Sequence, residues 1–311
     1  MMLNSRNIAQ LGETAALLEV SAYPKPGNVH RTQDFDNMTY EDFLISASIL
    51  RENLEIVAYN AHNSYPNLLN RIHVGEAILR TVRSTNKIVE TNTNLGISML
   101  MIPISAGCGA LINSDNIYHL PKTVDVIMKN TLPDDAVALI KAIVLSKAGG
   151  MENKTSKYDA NNKNTVEDII HNNINLYDLF KMSSMYDKIS YELVNGLPII
   201  SKYGFPTFTK LDEEGEYSKN DITLEIFLTL LANVPDTLIS RKYGLDVAKN
   251  VSKRAKNILK KTDMSTEERL NELKEFDTFL RKKRYNPGTT ADFTAASLFV
   301  GLVDKYANIG L

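Results

Sequence analysis

Residues 95–112 read LGISMLMIPISAGCGALI, and this nearly unbroken apolar run decides the fold. A run of this length reaches the lower limit of a membrane span. However, no basic residues flank it and no second run of the same kind accompanies it. We therefore expect a helix that is buried at the centre of a globular protein.

On both sides of this run, apolar residues recur at helical spacing, and strand-like alternation is scarce. The pattern predicts an all-α protein with about ten helices around the central one. No Pro/Gly-rich linker divides the chain, so we expect a single domain over residues 1–311. Mobile loops are predicted near 152–165 and near 204–220, the second being a charged loop or a short hairpin.

Local signals also predict where some helices begin. Thr39 and Asp42 have the spacing of a capping box, which would open the second helix. Pro66 suits the first position of a third helix. Residues 166–182 have the apolar pattern of one continuous helix.

The bulk composition excludes several classes of protein. The formal net charge of -2 does not favour binding to nucleic acid or to an anionic membrane. Cys108 is the single cysteine, which rules out an intramolecular disulfide and a cysteine-only metal cluster. The first residues lack the basic start and apolar run of a signal peptide, so we expect a cytoplasmic protein.

The first of three polar motifs is PKPGNV at 24–29. Lys25 and Arg31 could contact phosphates, and the carboxylates of Asp34 and Asp36 could hold Mg²⁺ against a polyphosphate. The simpler alternative is a helix connection whose prolines stop one helix and whose acids are solvated. Composition alone leaves these two interpretations open.

The second motif is TNTNLG at 91–96, which leads into the apolar run. Any one of Asn92, Thr93 and Asn94 could be a helix cap. Three such residues together provide more polar groups than capping requires, and burying them needs partners or a ligand. This favours a binding site.

The third motif is NPGTTAD at 286–292, and a helical apolar pattern follows it. Thr289 and Asp292 have the spacing of a capping box, which by itself would explain Asp292. Alternatively, Asp292 could ligate a metal or orient a sugar hydroxyl. Loops that open onto helix N-termini suit phosphate binding, so we expect the three motifs to converge on one pocket.

Two other carboxylates are candidates. Asp236 precedes two basic residues at a helix junction, although an aspartate cap beside an exposed basic pair is common. Glu76 lies in a mostly apolar helical pattern, where a carboxylate near the buried face would need a cation or a donor.

Taken together, the strings at 20–29, 92–97 and 286–292 resemble the triphosphoribosyl-dephospho-coenzyme A synthase family, in order and in spacing. The resemblance extends from about residue 15 to 302. It implies an all-helical enzyme that joins the ribose C1 of ATP to the 2′-hydroxyl of 3′-dephospho-coenzyme A and releases adenine. Family members carry His-Lys where this chain has Asn94 and Leu95, and Gly where it has Thr289. These differences resemble those of an archaeal-type branch of the family. They bear on the identity of the acceptor substrate more than on the binding of the nucleotide.

We assign roles as hypotheses within that resemblance. The general base would be Asp292 or Asp236, with Glu76 as a further candidate. Mg²⁺ on Asp34 and Asp36 would anchor the triphosphate. The residues expected to bind the nucleotide are Lys25, Gly27, Asn28, Arg31, Asn92, Thr93, Asn94, Gly288, Thr289 and Thr290.

The expected partners are ATP and dephospho-CoA or a related nucleotide, and we allow for a homodimer. Three alternatives remain open from the sequence. The chain could be an N-glycoside or nucleotide hydrolase with water as acceptor, a non-catalytic nucleotide-binding protein, or a helical scaffold whose motifs are only caps.

Overall fold

The computed structural model describes residues 3–89, 91–112, 119–146, 164–261 and 265–309. Within these ranges the chain forms fifteen α-helices and no strand, apart from two isolated bridges at His30–Gln33 and Phe35–Met38. The all-α prediction is confirmed. The helices are α1 Ser5–Ser21, α2 Tyr40–Ser64, α3 Val74–Thr85, α4 Leu95–Ala110, α5 Leu120–Lys129, α6 Pro133–Ser146, α7 Thr165–His171, α8 Leu176–Ser183, α9 Lys188–Val194, α10 Phe205–Glu214, α11 Lys219–Asn233, α12 Thr237–Tyr243, α13 Leu245–Leu259, α14 Thr266–Lys282 and α15 Gly288–Ile309.

The apolar run forms α4, which lies at the centre as expected. Its side chains from Ser98 to Gly109 are all buried. It packs against α2, α15, α5 and α3, and α15 in turn packs against α1, α4, α10 and α11. A second apolar cluster joins α11 to α13 and α14. Among the described residues no single helix is long and apolar enough to cross a membrane, although α11 and α12 taken together as a bent pair reach that threshold.

The helix starts that depend on local hydrogen bonds agree with the sequence. Thr39 and Asp42 form the expected capping box at the start of α2. The expected start at Pro66 is wrong, because α2 continues to Ser64 and α3 begins only at Val74. The single helix expected at 166–182 is two helices, since Asn175 caps a new one with Asp178. Breaks of this kind account for fifteen helices rather than ten.

The prediction of a loop over residues 204–220 is also wrong for most of that range. Helix α10 occupies Phe205–Glu214, and a short turn through Gly215 leads to α11. Phe208 and Leu211 are buried one turn apart, and Phe208 contacts α15 at Gly301. Burial of this apolar pair holds the charged segment in a helix. The loop predicted at 152–165 lies largely outside the described residues, and Thr165 begins α7.

Candidate active site

The three polar motifs meet where α4 and α15 begin. The Nδ2 amide of Asn28 donates to the Oδ1 oxygen of Asn286 at 3.0 Å, which joins the first motif to the third. Gly96 of the second motif lies directly against the carboxylate of Asp292, so that a Cβ at this position would overlap it. Glycine is therefore required there for the two helix starts to approach. The first turns of two long helices, α4 and α15, therefore lie against each other.

Asp292 lies at this meeting point. Its side chain is partly exposed, and within the described part of the chain it makes no hydrogen bond or ion pair. Burial raises its pKa well above the usual value, and repulsion from Glu19, Asp236 and Asp187 raises it further, while Arg241 acts in the opposite direction. A carboxylate of this kind can accept and hold a proton closer to neutral pH than an ordinary aspartate.

The capping-box interpretation of Asp292 is wrong. Helix α15 begins at Gly288, so both Thr289 and Asp292 lie inside its first turns. Thr289 instead accepts a hydrogen bond from the Thr237 hydroxyl at 3.1 Å. Asp292 therefore does not form the helix cap that its spacing from Thr289 suggested.

Asp236 is a buried carboxylate with a positioning role. Its Oδ1 accepts from the amide of Ile239 at 3.0 Å, which caps α12. Its Oδ2 accepts from the amide and the hydroxyl of Thr290, at 2.8 and 2.9 Å. Burial raises its pKa, and these hydrogen bonds oppose the rise. Asp236 therefore ties α12 to the start of α15, and its oxygens are already occupied.

Lys25 and Glu19 form a buried ion pair beside Asp292. The Lys25 ammonium is fully buried, bonds to the Glu19 carboxylate and donates to the Glu19 backbone oxygen at 3.0 Å. Burial lowers the pKa of Lys25, while Glu19 and Asp292 both act to raise it. Burial likewise raises the pKa of Glu19 against the effect of Lys25. Because the Lys25 ammonium has no contact with solvent and is paired with Glu19, it is not placed to contact a phosphate in this structure, contrary to what the sequence had suggested.

The second motif lines a cavity of about 20 Å³ beside this pair, together with Glu19. Asn92 caps α4, since its Oδ1 accepts from the amide of Leu95 at 3.2 Å. The Thr93 hydroxyl bonds to that of Ser46, and the buried Asn94 amide donates to Thr85. The cavity has room for about one water molecule, so it does not accommodate a nucleotide.

The first motif is held against α14 by Gly27. Gly27 has a φ of +74°, which favours glycine. A Cβ atom at this position would also lie only 2.7 Å from the Tyr285 carbonyl oxygen, which excludes a larger residue. The Gly27 amide donates to Asp277 Oδ1 at 2.8 Å. These contacts bring the loop to the third motif, which directly follows α14.

His30, in the same loop, is buried and neutral. Burial lowers its pKa to about 4, and the positive charges of Lys25, Arg281 and Arg31 contribute. Its ring meets that of Tyr23 edge to face with centroids 5.3 Å apart. Its Nε2 has no hydrogen-bond partner in the described part of the chain.

The remaining predicted residues lie on the surface. The Arg31 guanidinium is exposed and sits 5.6 Å from the centroid of the Tyr23 ring. Asp34 and Asp36 are exposed, and Asp34 Oδ1 already accepts from the Tyr40 amide at 2.8 Å. Glu76 is partly exposed in the first turn of α3.

These positions allow a test of the predicted magnesium site. Over the described ranges, no three His, Cys, Asp or Glu side chains are grouped as metal ligands. Asp34 and Asp36 would supply at most two protein ligands, and Asp34 is already engaged by the Tyr40 amide, so Mg²⁺ here would need the oxygens of a bound polyphosphate as well.

Sequence reasoning missed three charged groups around Asp292. Glu19 could have been found, because it occupies a core position on the buried face of α1, next to Ala15 and Ala16. Asp187 caps α9 through Ser190, and its proximity to Asp292 depends on the tertiary fold. Arg241 follows Asp236 on α12, and its Nε is buried without a partner among the described residues.

Two known proteins are similar to this chain over most of its length. A probable 2-(5″-triphosphoribosyl)-3′-dephosphocoenzyme-A synthase of Malonomonas rubra is 23% identical over 309 residues, which cover 97% of this chain and 89% of that protein. A crystal structure from Archaeoglobus fulgidus, described under the same enzyme name, shares the fold with a TM-score of 0.63 and 24% identity, and the match covers 84% of this chain and 98% of that one.

The family model for ATP:dephospho-CoA triphosphoribosyl transferase (CitG) matches residues 5–310, which include all three motifs and every helix of the site. The chain therefore belongs to the ATP:dephospho-CoA triphosphoribosyl transferase family.

Proposed function

We propose that this protein transfers the 5-triphosphoribosyl group of ATP to the 2′-hydroxyl of 3′-dephospho-CoA and releases adenine. Membership of a transferase family supports the reaction class. The observation that carries the site is Asp292, a partly exposed carboxylate that has no hydrogen-bond partner among the residues that the structure describes and lies where the three motifs meet.

The chemistry requires a base and a stabilised sugar cation. The bond between adenine N9 and ribose C1 breaks, the bond between C1 and the acceptor 2′-oxygen forms, and the hydroxyl proton leaves. Positive charge develops at C1, as in glycoside chemistry. Asp292 would take the proton, because its raised pKa makes it a better base than a fully solvated aspartate. The departing adenine anion takes up a proton in turn.

The surroundings of Asp292 suit both charges in this reaction. Glu19 and Asp236 add negative potential near the developing sugar cation. The N-termini of α4 and α15 face the same region and favour phosphate oxygens. Arg241 and the exposed Arg31 supply cationic side chains on neighbouring elements. Mg²⁺ would arrive with the triphosphate of ATP, whose oxygens are its preferred ligands.

Adenine release separates this function from the hydrolase alternative. Purified protein is incubated with ATP and Mg²⁺, with and without 3′-dephospho-CoA, and adenine is quantified by chromatography. We expect adenine only when the acceptor is present. Release without an acceptor would indicate a hydrolase, and saturable ATP binding without release would indicate a nucleotide-binding protein that has lost turnover.

Two further assignments are parts of the same proposal. A cytoplasmic location is supported by the single cysteine, Cys108, which is buried and has its pKa raised to about 12, as expected of a packing residue and not of a disulfide partner. A homodimer would be tested by sedimentation, with a concentration-independent mass of two chains as the expected result.

A further inference from the structure

A groove of about 780 Å³ opens on the protein away from the three motifs. It lies between the start of α5, the segment joining α9 to α10, helix α10 and the middle of α15. Its volume is in the range of small-molecule sites. Its apolar lining residues are Leu120, Pro121, Leu197, Ile200, Phe205, Pro206 and Val300, and its polar ones are Ser201, Thr209, Lys210, Glu213 and Glu214.

Two elements connect this groove to Asp292. Val300 lies eight residues after Asp292 on α15, which is about 12 Å along the helix axis. Asp187, whose charge acts on Asp292, caps α9, and the segment after α9 brings Leu197 into the groove wall. Both elements thus run from the neighbourhood of Asp292 to the groove.

The wall formed after α9 has an unusual backbone that is held in place by a buried carboxylate. Glu192 is fully buried and accepts from the amides of Ile199 and Ile200, both at 2.8 Å. Leu197 has a φ of +56°, and residues 200–204 form a π-helical turn. Such features persist where the surroundings fix them and recur at functional sites. The groove is thus preformed in the free protein.

We propose that this groove binds the pantetheine arm of the acceptor, an inference that rests on the proposed function. The arm is a chain of methylenes, a dimethyl carbon and two amides, about as long as four extended residues, or roughly 14 Å. The ribose and diphosphate of the acceptor lie between its reacting 2′-oxygen and the arm, so they would span the distance along α15 from Asp292 to Val300, and the arm would begin at the groove. The apolar floor suits the hydrocarbon part, and the hydroxyls of Ser201 and Thr209 at the rim can pair with the amides.

This assignment gives the groove a role in telling the two substrates apart. ATP carries no such arm, so it would not contact the groove and would be bound by the motif residues alone. Dephospho-CoA is ADP extended by the arm, so ADP is the same acceptor without the part that the groove recognises. Specificity would then come from buried apolar contact remote from the reacting atoms.

The test compares binding of 3′-dephospho-CoA and ADP by titration calorimetry. Ser201 is exposed at the groove, so Ser201→Trp fills it without disturbing the core, and Thr209→Trp fills it from α10. Lys202→Trp is the matched control, exposed on the same turn and absent from the lining. We expect wild type and the control to bind dephospho-CoA about tenfold or more tightly than ADP. In both groove variants the two affinities should become equal, with the affinity for ADP unchanged.

Each contrary outcome identifies a different error. Dephospho-CoA affinity in both groove variants equal to that of the wild type and the Lys202→Trp control would overturn the proposal. If Ser201→Trp converts a dimer to a monomer in sedimentation while dephospho-CoA affinity is retained, the groove is occupied by a second copy instead. Because binding is measured without turnover, absence of adenine release would refute the proposed function and leave this result interpretable.

Discussion

Replacing Asp292 by asparagine should separate catalysis from stability in this protein. The amide has nearly the same shape, so the contact with Gly96 is kept. The carboxylate makes no hydrogen bond among the described residues, so no structural partner is lost. What disappears is the proton acceptor. We expect kcat to fall by about 10²–10⁴-fold, equivalent to roughly 3–5 kcal/mol of activation free energy.

Stability should respond in the opposite direction. A folded-state pKa above the ordinary value means that ionisation of Asp292 lowers the free energy of unfolding as pH rises through that range. Asparagine removes this cost, so Asp292→Asn should be at least as stable as wild type at pH 8. Below the ordinary aspartate pKa the two proteins should be equal.

The assay is acceptor-dependent adenine release at saturating ATP, paired with urea unfolding at pH 8. Asp236→Asn is the comparison, because Asp236 accepts from Ile239 and Thr290. It should lose about 1–3 kcal/mol of stability, since one of these donors would face an amide N–H. Asp292→Asn with kcat within a few-fold of wild type would refute the assignment of Asp292 as the base.

Three further predictions concern the neighbouring groups. Lys25→Met should lower the free energy of unfolding by about 3–5 kcal/mol, because it leaves Glu19 buried without its cation, and adding Glu19→Gln should recover a large part of that loss in urea titrations. Gly96→Ala should push the Asp292 carboxylate aside, costing about 1–3 kcal/mol of stability and lowering kcat; unchanged values for both would show that the helix starts are not as close as described. Glu192 has its pKa raised to about 8 by burial, so the free energy of unfolding should fall as pH rises from about 4.5 through 8. Glu192→Gln should flatten that decline, and an equally steep profile in the variant would contradict the assignment.

Much of the fold could be predicted from local sequence. The capping box of Thr39 and Asp42 was visible because its bonds join residues three apart. Helix α4 was visible because burial on all sides leaves a continuous apolar run. By contrast, α10 was not predicted, because its many charged residues hide the apolar pair Phe208 and Leu211 in the sequence pattern. The reason that it is helical is seen only in the contact of Phe208 with α15.

The site divides in the same way. The sequence by itself determined the family, the helical class and the three motifs, because these depend on residue order and short-range spacing. Only the tertiary structure shows how the two carboxylates differ: Asp236 accepts from Thr290, whereas Asp292, close to Glu19, has no hydrogen-bond partner in the described part of the chain. Neighbours so distant along the chain come together only through packing, and their charges change pKa values through burial and proximity, neither of which has a local sequence signal.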